Sequence, residues 1–126
     1  MSSDATIVGA EIAVTTDPDW QSDVGLAWNP TRDEWLAAYT RAGATTEVRA
    51  RRIATDGSLP GTESTLTQAA GTWLAHAAYV PADGEYLVAW FEGEIRAQRV
   101  DQDGIPVGDA IVLAPGYGND DVRCRA

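Results

Sequence analysis

The 126-residue chain is predicted to be all-β, built of two repeated four-stranded units. Two observations predict this: a sequence repeat, and apolar residues that alternate or form short β-branched and aromatic runs bounded by Gly, Pro, Asp and Asn. Ala27-Trp28-Asn29-Pro30 and Glu34-Trp35-Leu36-Ala37-Ala38-Tyr39 return, at an offset of 51, as Ala78-Tyr79-Val80-Pro81 and Glu85-Tyr86-Leu87-Val88-Ala89-Trp90. Val48-Arg49-Ala50-Arg51-Arg52-Ile53 and Asp56-Gly57 return at an offset of 47, as Ile95-Arg96-Ala97-Gln98-Arg99-Val100 and Asp103-Gly104. The four residues lost between the two offsets are expected to come out of a loop. A self-similar period near 50 residues means stacked supersecondary units, and for strand-rich units the leading candidate is a β-propeller blade.

The elements follow in order within a single domain, 1–126. Residues 7–15 form a leading edge strand, because Val8 to Val14 match Val107 to Leu113. Repeat 1 covers 20–67 and repeat 2 covers 73–114; residues 117–126 begin a further repeat or a tail, since Asp121-Val122 falls where Asp23-Val24 does. Each repeat carries strands a to d: a at 23–29 and 74–80, b at 34–40 and 85–91, c at 47–54 and 94–101, d at 62–67 and 109–114. Strand b has two apolar faces, Trp35, Ala37 and Tyr39 against Leu36 and Ala38, and its copy sets Tyr86, Val88 and Trp90 against Leu87 and Ala89. A strand buried on both faces sits between two layers, as stacked blades require. Pro30 and Pro81 end strand a by forbidding the ladder to continue. The Asp-Gly pairs at 56–57 and 103–104 fit the turn from c to d, where Gly tolerates positive φ.

These motifs, aromatic-Asn-Pro, then Glu-Tyr-Leu-Val-x-Trp, then Gln-Arg-Val-Asp-x-x-Gly, resemble blade repeats of bacterial β-propeller-type proteins, and residues 74–113 carry the resemblance best. The first repeat departs from the pattern at Trp35, Ala37 and Arg51. The resemblance implies a propeller-like blade and no particular activity.

Propellers close with about four to eight blades, so a chain with two leaves both stacking faces open and invites association. A homo-oligomer is expected, a cyclic trimer being favoured because three chains make a ring of about six blades. A fragment of a longer propeller and a closed β-sandwich are the alternatives.

A net charge of −10 opposes binding to nucleic acid and to anionic membrane surfaces. Cys124 is the only cysteine, which excludes an intrachain disulfide and a cysteine-based zinc site. Neither a signal peptide nor an apolar run of spanning length appears, so the chain as written reads as soluble.

No hydrolase, phosphate-loop, dinucleotide or metalloprotease motif appears, and no catalytic residue, cofactor or metal is expected. The acidic groups Asp17, Asp19, Asp23 and Asp120, Asp121 lack the spacing of a calcium loop, and the sole histidine, His76, reads as structural. Arg49 with Arg96, and Arg52 with Arg99, hold matching positions, which argues for one task per repeat, most simply an ion pair. The links from d to a each carry an aromatic: Trp20 beside Asp19, Trp73, and Tyr117 near Asn119. The expected function is that of a non-enzymatic binding module, lectin-like through these inter-blade loops, because exposed rings beside polar groups suit the C–H face and hydroxyls of a sugar; the alternative, with the rings buried between blades, is a structural, self-assembling repeat unit with no ligand of its own.

Overall fold

The computed structural model describes residues 11–15, 20–68 and 71–114. They form eight strands: β1 (Trp20–Asn29), β2 (Glu34–Ala42), β3 (Thr46–Ala54), β4 (Ser64–Gln68), β5 (Trp73–Val80), β6 (Glu85–Phe91), β7 (Ile95–Val100) and β8 (Pro106–Ala114). Two antiparallel four-stranded meanders result, β1-β2-β3-β4 and β5-β6-β7-β8. The all-β expectation holds, and no helix among the described residues is long and apolar enough to cross a membrane. Residues 11–15 lie outside the ladders, and the rest of the expected leading strand, with 117–126, falls outside the described residues.

The turns are built alike in both sheets. Gly57 (φ 90°) and Gly104 (φ 82°) occupy the left-handed region at the ends of β3 and β7. Their N–H groups donate to the carbonyls of Ala54 and Asp101, at 3.0 and 2.9 Å. The side chain of Asn29 accepts from the N–H of Thr31 at 2.9 Å, closing β1 where Pro30 ends the ladder. One expectation needs correction. The loops 43–45 and 92–94 are equally long, so the change of offset does not come from a loop. The first hairpin instead adds the pairs Arg41↔Glu47 and Ala42↔Thr46, whereas β6 and β7 end at Phe91↔Ile95. Two residues per strand is one full pleat, so every side chain keeps its face.

The sheets stack face to face, with β5 against β1 and β2. Ala27, Leu36, Ala38, Val48 and Ala50 of the first sheet meet Tyr79, Tyr86, Val88, Trp90 and Val100 of the second in one core. Gly25 lets the backbones approach: a Cβ there would lie 2.9 Å from His76 Cα and 3.1 Å from the Ala75 carbonyl oxygen. Gly25→Ala is therefore expected to cost about 1–3 kcal/mol by overpacking, read as a lower urea midpoint at unchanged m-value.

Polar clasps rim the core. Arg32 Nη1 donates to Asp103 Oδ1 at 2.8 Å and to the Gln102 carbonyl at 3.0 Å. Asn29 donates to Gln102 Oε1 at 3.2 Å, and the Thr31 and Tyr79 hydroxyls lie 3.1 Å apart. Farther out, Ser64 Oγ donates to the Gly104 carbonyl at 2.6 Å, and Thr67 Oγ1 to Glu92 at 2.7 Å.

Candidate interaction surfaces

The two sheets are joined by unlike faces. On β2, Leu36 and Ala38 look into the core while Trp35, Ala37 and Tyr39 look away; on β6 the orientation is reversed, with Tyr86, Val88 and Trp90 inward. Among the described residues each sheet therefore keeps one face that the other sheet does not cover, and that face is the repeat counterpart of the face buried in the other sheet.

The outer face of the first sheet carries Leu26, Trp28, Trp35 and Ile53, placed together by the pairs Leu26↔Ala37, Trp28↔Trp35 and Trp35↔Ile53. The two indoles touch at 4.9 Å between centroids, tilted by 56°. They remain 37% and 39% exposed, whereas the corresponding pair on the second sheet, Tyr79 and Tyr86, is in ring contact at 5.3 Å and only 7% and 1% exposed. Residues 11–15 lie over part of this face. With β1, β2 and β3 they line an apolar groove of about 350 Å³, bounded by Ile12, Val14, Leu26, Ala37, Tyr39 and Ile53. Ile12 Cδ1 reaches the turn after β3, 3.1 Å from where a Cβ on Gly57 would stand.

The same face ends in charge on the longer hairpin. The buried Glu47 accepts from Arg41 at 2.6 Å, Arg49 at 3.0 Å and Gln68 at 2.8 Å, and Arg49 also reaches Glu63 at 2.7 Å. Burial pushes the Glu47 carboxyl up, but the hydrogen bonds from Gln68 and Arg41 and the Arg49 charge outweigh it and hold the group below its ordinary value. A lowered folded-state pKa adds stability above the unfolded value that is lost as pH falls through the folded one. Stability is thus expected to be level above about pH 5 and to decline below it, with a shallower decline in Glu47→Gln, by urea unfolding at each pH.

The outer face of the second sheet is shallower. Leu87, Ala89, Ala97 and Ile95 form a small apolar cluster. Phe91 and Trp73 meet edge to face at 5.5 Å beside it. The pair Ala97↔Ile111 brings the exposed Ile111 to the same face, and Leu113 is exposed on the same strand. His76 sits on this side of β5, opposite Ala89.

The arginine expectation is met on every copy: Arg52 pairs with Glu34 and Arg99 with Glu85, both at 2.7 Å, while Arg49 pairs with Glu47 and Glu63, and Arg96 with Glu92 and Glu94. Asp101 accepts from the N–H groups of Asp103 and Ile105, which accounts for its turn through the backbone. Among the described residues no three His, Cys, Asp or Glu side chains converge as metal ligands.

Of the candidate ligand residues, Trp73 is 39% exposed. Asp19, Tyr117 and Asn119 lie outside the described residues, as do Asp17, Asp120 and Asp121 and the side chains of Trp20 and Asp23; the backbone of Trp20 opens β1 opposite Ala42. The described residues thus assemble no ring of loop aromatics. Trp28 and Trp35 are the aromatics that the site reading passed over, and the sequence signal for them is their alignment with Tyr79 and Tyr86. Comparison with protein-family models, with curated proteins and with solved structures finds no match to this chain.

Proposed function

We propose that this chain is a non-enzymatic, propeller-type repeat module whose function is assembly. The exposed Trp28–Trp35 pair carries the reading: its repeat counterpart, Tyr79–Tyr86, is buried by the neighbouring sheet. Large apolar side chains left in water on a sheet face favour association. Further copies supply the missing layers, and a ring of about six sheets from three chains falls within the usual closure range of about four to eight. The open faces are unlike each other, which suits a cyclic assembly.

Multi-angle light scattering at ~0.15 M salt tests this, since at lower ionic strength the net charge of −10 per chain keeps copies apart. The expected result is a mass of several chains at micromolar concentration, near three times 13.4 kDa. A monodisperse monomer at that concentration overturns the assembly reading.

One observation favours a second reading, carbohydrate binding by the rim of the assembled module: Trp73 keeps an exposed indole beside Phe91. A glycan array with the wild-type chain and Trp73→Ala separates the readings. A signal lost in the variant at unchanged mass supports a lectin-like role, and no signal from the assembled wild type removes it.

A further inference from the structure

We infer that a second copy of this chain docks back to front, laying the outer face of its second sheet on the outer face of the first sheet, in the polarity of the intrachain sheet pair. The inference rests on the assembly reading and specifies its contact. The occupant follows from continuity with the interface inside the chain. There, Leu36, Ser64 and the Arg52–Glu34 pair meet the second sheet, and their repeat counterparts Leu87, Ile111 and Arg99–Glu85 lie on the free back face. The surface that receives them inside the chain is built on Tyr79, Tyr86 and Val100, whose counterparts Trp28, Trp35 and Ile53 lie on the free front face. Each open face is thus a variant of one half of an interface that the chain already makes once.

The variation has consequences. Val100 is fully buried in the chain, whereas residues 11–15 lie beside its counterpart Ile53, so a copy docked in full register displaces that segment. Gly25, which admits the β5 backbone, corresponds to His76, so the backbones of two copies stand farther apart at that point than those of the two sheets. The clasp between Arg32 and Asp103 corresponds, across the joint, to Asp83 of one copy facing Asp56 of the next. Two like charges weaken the joint where the chain's own interface has an ion pair.

The test uses two variants of the full chain: Leu26→Arg, which charges the front face at an exposed position, and Leu87→Arg, which charges the back. Far-UV and near-UV circular dichroism check folding, and Ile111→Arg, also exposed, serves as a second back-face variant. With the wild type assembled, each variant alone is expected to sediment as a monomer, and an equimolar mixture as a 1:1 dimer. Self-association of Leu87→Arg alone means front-to-front pairing, and of Leu26→Arg alone back-to-back pairing; either overturns the inference, as does a mixture that stays monomeric. A monomeric wild type overturns the assembly reading itself, so the two failures are distinct. Asp83→Arg restores the missing ion pair and is expected to tighten wild-type association by about 3–10-fold. That gain must vanish when Asp56 is replaced by Ala, and a gain that persists, or none at all, overturns the register.

Discussion

Replacing Trp90 by alanine is expected to destabilise the chain by about 3–5 kcal/mol. Trp90 is fully buried on the inward face of β6, in the core shared by both sheets. Truncation removes an indole's worth of apolar area from that core and leaves a cavity between two hydrogen-bonded sheets. Each sheet is held in shape by its own ladder, so the walls collapse only in part, and the cavity term adds to the lost transfer free energy. A domain of this kind has about 5–15 kcal/mol of stability, so the loss is a large fraction of the total. Trp90→Phe keeps most of the ring and should cost about 1–3 kcal/mol. Urea unfolding by circular dichroism measures both, and a Trp90→Ala cost below about 1 kcal/mol is incompatible with a core placed between the sheets.

Two ion pairs that the repeat makes equivalent are expected to differ widely in worth. Arg52 and Glu34 are joined by two hydrogen bonds, Nε to Oε1 at 2.7 Å and Nη2 to Oε2 at 3.1 Å, with side chains only 17% and 5% exposed. Arg99 holds Glu85 mainly through Nη2, which donates to Oε1 at 2.7 Å and to Oε2 at 3.1 Å, with Nε 3.2 Å from Oε1 and side chains 53% and 14% exposed. Arg52→Ala strands a carboxylate at the sheet interface and should cost about 3–5 kcal/mol. Arg99→Ala leaves its carboxylate within reach of water and should leave the urea midpoint nearly unchanged. The comparison is made by urea unfolding at concentrations where the chain is monomeric. Equal costs would show that the two faces do not differ in solvent access as described.

The strand reading was largely legible in the residues. Both copies of strand a end as expected, β1 at Asn29 and β5 at Val80, because proline cannot donate to a ladder, and the Asn29 side chain closes the first of the two turns. The Asp-Gly turns formed as expected, because only Gly takes their positive φ without strain. The hairpin was misjudged for a definite reason: removing two residues from each of two paired strands changes the offset by the same four residues as shortening a loop does. Sequence alignment alone does not separate the two, and the register Arg41↔Glu47 does. The site was less legible. Trp35 lies on a strand that is apolar on both faces and so reads from the sequence as the interior of a stack, yet it is 39% exposed, and nothing in the sequence marks its partner Trp28 as exposed.

The eight strands of the two repeats, their antiparallel order and their turns were determined by the sequence itself, because they depend on alternation, on proline and on glycine, all local properties of the backbone. Which face of each sheet lies inside was decided by tertiary structure alone. In β2 both Leu36 and Trp35 are large and apolar, and nothing in the strand distinguishes them; the second sheet covers Leu36 completely and leaves Trp35 in water. Burial is a property of the neighbour, and among the described residues each sheet is stacked on one other sheet.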